Sequence, residues 1–199
     1  MTTESIVLIL FAYLLGSIPT GVILSKYWGK VDIRKEGSGN IGATNVYRTL
    51  GKTVGALTLL GDVLKGLIPV AFAIWLFQSE FVTSLTVLCA FTGHIYPIFL
   101  KFKGGKGIAT ALGVFVLIVP WAILISFLTF AGTVYKWRYV SLGSMVAGGS
   151  LPLWIVLFSY STTYLITSIV VAALIIFKHK DNIQRLIKGE ESRVGEKAD

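Results

Sequence analysis

The chain reads as an all-α, polytopic integral membrane protein: seven transmembrane helices with a short cytoplasmic-side amphipathic helix and polar loops. Three observations predict this. Hydrophobic residues fill 54% of its 199 positions and charged ones 14%, against about 25% charged in soluble domains. The mean hydropathy is +0.77. The apolar residues also fall into long runs, with the cations confined to the short polar segments between them.

The first run, 5–24, has the length of about 20 residues that crosses about 30 Å of hydrocarbon. It follows Met1-Thr2-Thr3-Glu4, which has no basic residue, and is longer than a signal-peptide core, so it is expected to stay as a helix. A basic loop then runs to Lys52, containing a short amphipathic helix over 43–50 closed by Gly51. A second span over 53–77 is expected to be interrupted at 61–66 and at Pro69. The third, 81–100, carries His94, Tyr96 and Pro97 near its end and leads into Lys101-Phe102-Lys103-Gly104-Gly105-Lys106-Gly107.

The apolar stretch 108–135 is too long for one untilted crossing, and Pro120 beside Trp121 suits an interfacial reversal, giving spans four and five. Tyr135-Lys136-Trp137-Arg138-Tyr139 is an aromatic and basic belt. Span six, 141–158, sets Ser141, Ser144 and Gly148 along one narrow side for close packing. Span seven, 162–177, delivers Lys178-His179-Lys180-Asp181-Asn182 to the surface. Residues 1–189 are expected to form one domain; the charged tail 190–199 lacks apolar periodicity and is expected to be disordered.

Of the 18 lysines and arginines, all but Lys65 then fall on one side, and the turns near Ser79, Pro120 and Ser161 carry none. The positive-inside rule gives an outer N-terminus and a cytoplasmic C-terminus. A net charge of +8 distributed in this way suits membrane phosphates or an anionic substrate and not nucleic acid. Cys89, the single cysteine, lies in an apolar run and excludes an intramolecular disulfide, and neither His94 nor His179 has a second ligand at metal-site spacing, so no metal is expected.

The polar stretch Gly37-Ser38-Gly39-Asn40-Ile41-Gly42-Ala43-Thr44-Asn45-Val46-Tyr47-Arg48 has the makings of a phosphate cradle. Gly37, Gly39 and Gly42 let backbone N–H groups converge ahead of a helix start. Ser38, Asn40, Thr44 and Asn45 add neutral hydrogen bonds, and Arg48 adds a planar fork of donors. The spacing fits neither a P-loop nor a dinucleotide fingerprint; the plain alternative is a flexible polar connection. Gly104-Gly105-Lys106-Gly107 repeats the character, with N–H groups and Lys106 facing one anion, whereas Lys101 and Lys103 suit lipid headgroups.

His179 and Asn182 are three apart and share a helix face, either as a functional pair or as a solvated helix end. Asp62 and Lys65, also three apart, are placed to neutralise each other within the membrane. His94 suits packing and substrate contact equally well.

Three of these segments carry a resemblance. The stretch 37–45 with Arg48, Gly-His-Ile-Tyr-Pro at 93–97 with the lysine-glycine run 101–107, and Lys-His-Lys-Asp-Asn-Ile-Gln-Arg-Leu at 178–186 resemble the three signature regions of the bacterial acyl-phosphate-dependent glycerol-3-phosphate acyltransferases, in order and spacing over nearly the whole chain. The resemblance implies a seven-helix inner-membrane enzyme, active at the cytoplasmic face. It would move a fatty acyl group from acyl phosphate to the 1-position of sn-glycerol 3-phosphate, giving lysophosphatidic acid and phosphate.

It further implies Ser38, Arg48, Lys106, His179 and Asn182 as catalytic residues, with Gly37, Gly39, Asn40, Gly42, Thr44, Asn45, Gly104, Gly105 and Ser141 binding substrate. Arg48 and Lys106 would bind phosphate, Ser38 and Ser141 hydrogen-bond it, and His179 with Asn182 orient the acceptor or the carbonyl. No cofactor and no obligate protein partner is implied; the partners are the two substrates and membrane lipid. Neither histidine has an aspartate five residues on, so the His-x4-Asp mechanism of soluble-type acyltransferases is closed to this chain. The expected base is the donor's own phosphate, with His179 its rival. Two other classes fit the basic loops: a transporter of small anions or phosphate esters, and a noncatalytic lipid-binding protein.

Overall fold

The computed structural model describes residues 1–195. Among them the regular structure is helical: α1 (Thr3–Gly16), α2 (Thr20–Gly29), α3 (Ala43–Leu50), α4 (Lys52–Phe77), α5 (Glu80–Ile95), α6 (Ile108–Phe115), α7 (Pro120–Trp137), α8 (Val140–Leu157), α9 (Thr162–Lys178) and α10 (Lys180–Lys188). The chain divides into two compact units, Met1–Leu117 and the part from Ile118 on.

In the first unit, α1 packs on α4 and α5, and α4 packs in turn on α2, α3, α5 and α6. The first span is broken where 5–24 was expected to be continuous. Pro19 lacks an N–H and disfavours helical geometry at Ile18, so α1 ends at Gly16 and a second helix starts at Thr20. The second span departs the other way: α4 is unbroken over 26 residues despite its glycines and Pro69. Here the glycines make room for neighbours. A Cβ on Gly66 would sit 2.7 Å from the Thr110 carbonyl of α6, and one on Gly113 of α6 would strike the Val63 carbonyl of α4.

That close crossing frames a buried charge pair. Lys65 Nζ lies 2.8 Å from Asp62 Oδ1, both side chains being at most 5% exposed. The same ammonium donates to the Ile18 carbonyl at the α1–α2 break (2.9 Å), and the Thr110 hydroxyl donates to the Asp62 carbonyl (3.0 Å). The pair expected from sequence thus also ties three helices together.

In the second unit, α7 packs on α8, and α8 on α9. The helix break expected at Pro120 is present: α6 stops at Phe115 and Pro120 opens α7, where a missing N–H costs nothing. Gly143 admits Val134 of α7 and Gly148 admits Ile175 of α9, where a Cβ would lie 2.6 and 3.0 Å from them respectively. In the aromatic belt Lys136 Nζ stands 4.5 Å from the Trp137 ring centroid. The helix bends by 53° between α9 and α10, with His179 at the corner.

Of the tail 190–199, expected to be disordered, residues 190–195 are described and carry no helix or strand. Arg138 and Val194 exchange two hydrogen bonds, Val194 N to Arg138 O (2.7 Å) and an Arg138 guanidinium nitrogen to Val194 O (2.6 Å). Residues 196–199 lie outside the described residues. Large apolar side chains such as Leu10, Trp75, Leu153 and Ile166 stay exposed along the long helices, as lipid-facing residues do. Among the described residues four segments are long and apolar enough to cross a membrane: Thr3–Gly29, Lys52–Phe77, Glu80–Leu100 and Val140–Leu157; the bent pair α9–α10 makes a fifth.

Candidate active site

The cradle of the first unit is built by one side chain. Asn45, 4% exposed on the first turns of α3, accepts the Ser38 N–H on Oδ1 (3.1 Å). Its Nδ2 donates to the carbonyls of Asn40 (2.9 Å), Glu36 (3.0 Å) and Ile33 (3.3 Å). Around this amide the loop turns with left-handed backbone at Gly37 (φ 53°) and Gly39 (φ 68°), a conformation that favours glycine. A Cβ at Gly37 would lie 2.5 Å from Asn45 Oδ1. Asn40 Oδ1 accepts the Gly42 N–H (2.8 Å) where α3 begins.

The sequence reading placed Asn45 and Asn40 among the substrate-binding residues, with Asn40 also shaping the cradle. The structure spends the Asn45 amide on the loop itself, and Asn40 Oδ1 on the helix start, so both shape the cradle from within. Ser38 and Thr44 stand exposed and Arg48, on the last turn of α3, is half-buried. Underneath, Val22, Ile33, Ile41, Val46 and Val54 form a small apolar core that fixes α3 against α2 and α4. Beside the cradle the Arg34 guanidinium forks onto Asp32 (2.8 and 2.6 Å) and holds that carboxyl well below the usual range.

Also in the first unit, the run 104–107 sits on the C-terminal end of α5, where the His94 carbonyl accepts the Gly105 N–H (3.2 Å). A Cβ on Gly104 would run into that carbonyl. Gly107 (φ 82°) then turns the chain into α6, leaving Lys106 half-buried between two buried glycines.

The second unit gathers Ser141 at the start of α8, His179 at the α9–α10 corner and Asn182 on α10, all buried. His179 Nδ1 is 2.8 Å from the Ile175 carbonyl. A carbonyl only accepts, so Nδ1 carries the proton and Nε2 the lone pair of the neutral ring. Sequence reasoning missed Glu191. Its Oε1 accepts Asn182 Nδ2 (2.7 Å) and its Oε2 accepts Arg185 Nε (2.8 Å). The Ser141 hydroxyl, without a partner at good hydrogen-bond geometry, is close enough to act on the same carboxyl.

Burial pushes the Glu191 carboxyl up, but the donors Ser141, Arg185 and Asn182 and the Arg185 charge outweigh it, and the group is held below its ordinary value. The available signal was Gly189: with φ 75° it closes α10 and turns the chain back, the Glu190 N–H reaching the Arg185 carbonyl (2.8 Å).

Glycine-shaped anion cradles occur in unrelated folds, so geometry leaves the family open; sequence comparison decides it. The family profile described as Glycerol-3-phosphate acyltransferase matches residues 6–189. This chain belongs to that family. A glycerol-3-phosphate acyltransferase of Geotalea daltonii is 55% identical over 96% of this chain and 97% of its own length. Two solved structures are similar as well, each covering 96% of both chains. Crystals of PlsY, an integral membrane glycerol 3-phosphate acyltransferase, match in the glycerol 3-phosphate form (TM-score 0.93, 47% identity). They also match in the lysophosphatidic acid form (TM-score 0.90, 44% identity). The acyltransferase family match takes in each candidate residue from Gly37 to Asn182, while Glu191 lies just beyond its end.

Proposed function

We propose that this chain transfers a fatty acyl group from acyl phosphate to the 1-hydroxyl of sn-glycerol 3-phosphate, giving lysophosphatidic acid and inorganic phosphate. It does so at the cytoplasmic face of a bacterial inner membrane that it crosses seven times, N-terminus outside. The observation that carries the reading is the Asn45-shaped cradle, whose glycine backbone and neighbouring Arg48 suit a phosphate. Family membership supports the acceptor, and the one-sided distribution of lysine and arginine supports the orientation.

Acyl phosphate is already activated, so the protein need not supply a covalent nucleophile. The acceptor hydroxyl oxygen attacks the acyl carbonyl carbon, the bond from that carbon to the phosphate oxygen breaks, and the hydroxyl proton leaves on the departing phosphate. Arg48 and Lys106 offset phosphate charge, while Ser38, Thr44 and Ser141 supply hydrogen bonds and Gly37, Gly39, Gly42, Gly104 and Gly105 let the backbone approach. His179, with its lone pair on Nε2, and Asn182 orient the acceptor hydroxyl.

Purified protein in lipid nanodiscs, given palmitoyl phosphate and glycerol 3-phosphate, is expected to release lysophosphatidic acid and phosphate in equal amounts. Flux of glycerol 3-phosphate into liposomes without product would replace this reading with transport. A pH–rate profile of His179→Ala settles the base: residual turnover keeping its acid limb assigns the donor phosphate, and loss at every pH assigns the histidine.

A further inference from the structure

Three buried polar groups of the first unit have no part in the proposed chemistry: Asp62, Lys65 and His94. Asp62 Oδ1, which holds Lys65 at 2.8 Å, also faces His94 Nδ1 at 3.7 Å, and the three side chains are at most 5% exposed. The opposite edge of the same ring faces the glycine run: a Cβ on Gly105 would strike His94 Nε2. The His94 carbonyl meanwhile accepts the Gly105 N–H (3.2 Å). Ring and backbone of one residue therefore hold the segment next to Lys106, and the ring is itself braced by a carboxylate on a different helix.

We infer that Asp62, Lys65 and His94 are positioning residues for the loop 104–106: the Asp62 carboxylate fixes the His94 ring, and the ring fixes the backbone that presents Lys106. The physical argument is one of cost. An ionised carboxylate and an ammonium among apolar helices are expensive and persist where they perform a function. The Lys65 ammonium neutralises Asp62 and anchors it to the Ile18 carbonyl, so the carboxylate has a fixed direction. At 3.7 Å the carboxylate is beyond hydrogen-bond distance and acts on the ring as a nearby fixed charge, which favours the ring orientation that turns the protonated nitrogen toward it. Glycine at 105 is required because the ring occupies the space of a side chain. The inference deepens the proposed function and rests on it for its kinetic readout only.

The test compares His94→Asn, His94→Gln and His94→Leu. The asparagine amide nitrogen comes close to the place of Nδ1 and can keep the Asp62 contact; glutamine reaches past it; leucine keeps the bulk and nothing else. His94→Asn is expected to retain kcat/KM for glycerol 3-phosphate within about threefold, while His94→Gln and His94→Leu lose about tenfold or more, as when a buried polar contact is broken.

Amide hydrogen exchange across 103–107 is expected to speed up in the same order, with the rest of the chain unchanged. Simple packing predicts the reverse, with leucine tolerated best. That ordering, or exchange at 103–107 indifferent to all three, overturns the inference. If His94→Leu does not insert, the asparagine–glutamine comparison decides alone. If the wild type transfers no acyl group, the proposed function fails, and the exchange data still judge the positioning.

Discussion

The first unit shapes its candidate anion site with backbone, the second with side chains. Between Gly37 and Gly42 the loop is held by its own backbone: the N–H groups of Ser38, Gly39 and Gly42 are taken by Asn45 Oδ1, the Glu36 carbonyl and Asn40 Oδ1, and the one buried amide, Asn45, faces the loop it organises. In the second unit the polar groups are the buried side chains of Ser141, His179 and Asn182 themselves. Two of the three donate to an acceptor, His179 to a neutral carbonyl and Asn182 to the carboxylate of Glu191. A backbone site depends on loop conformation and is indifferent to pH; a side-chain site tied to a carboxylate depends on that group's charge. The two regions should therefore fail in different ways.

The largest effect is expected from Asn45→Ala, which frees the Ser38 N–H and three carbonyls together. Each broken bond costs about 1 kcal/mol, and kcat/KM should fall by about a hundredfold or more with the helices intact by circular dichroism. Near-normal turnover would show that the loop keeps its shape without the amide.

Next is Lys106→Ala, expected to cost about a hundredfold in turnover while leaving the protein folded and inserted, as when one charge-stabilising group is removed from an active site. A variant with ordinary kinetics would remove Lys106 from the chemistry.

Glu191→Gln sharpens the contrast. The Glu191 carboxyl is lower in the folded chain than its ordinary value, so its contribution is complete at neutral pH, above the unfolded value, and is lost as pH falls through the folded one. Wild-type activity and thermal midpoint should therefore hold from neutral pH down into the carboxylate range and decline below it. Glu191→Gln should be about tenfold less active at neutral pH, having lost a charge-assisted contact, and should show a shallower decline. Identical acid limbs would mean that Asn182 is not set by that charge.

The smallest effect belongs to Asp32→Ala. It breaks an exposed fork beside the cradle, and an unchanged thermal midpoint with a rate within about twofold of wild type is expected. A large loss of phosphate affinity would make that fork part of the cradle.

What the sequence revealed and what it hid divide along the same physical line. The helix 43–50 was legible to the residue because Gly42 and Gly51 bracket it, and the helix break at Pro120 because a proline in an overlong apolar run ends one helix and opens the next. The Asp62–Lys65 pair was legible from helical spacing. The break at Ser17–Pro19 and the continuity of α4 were not, since the same residue types, proline and glycine, end a helix in one place and pack a neighbour against it in the other.

The residues of the site were visible by type, but their division of labour was hidden. Asn45 turns inward only because the loop has already turned around it, and Glu191 reaches Asn182 only because Gly189 reverses the chain. Both depend on backbone paths that spacing alone does not fix.

The most direct trial is the initial rate of lysophosphatidic acid formation from acyl phosphate and glycerol 3-phosphate, measured side by side for the wild type and Arg48→Ala in nanodiscs. Product from the wild type, with one phosphate released per molecule, and a rate about a hundredfold lower in the variant are the predicted results. No product from a folded wild type, or equal rates for the two proteins, would contradict the account.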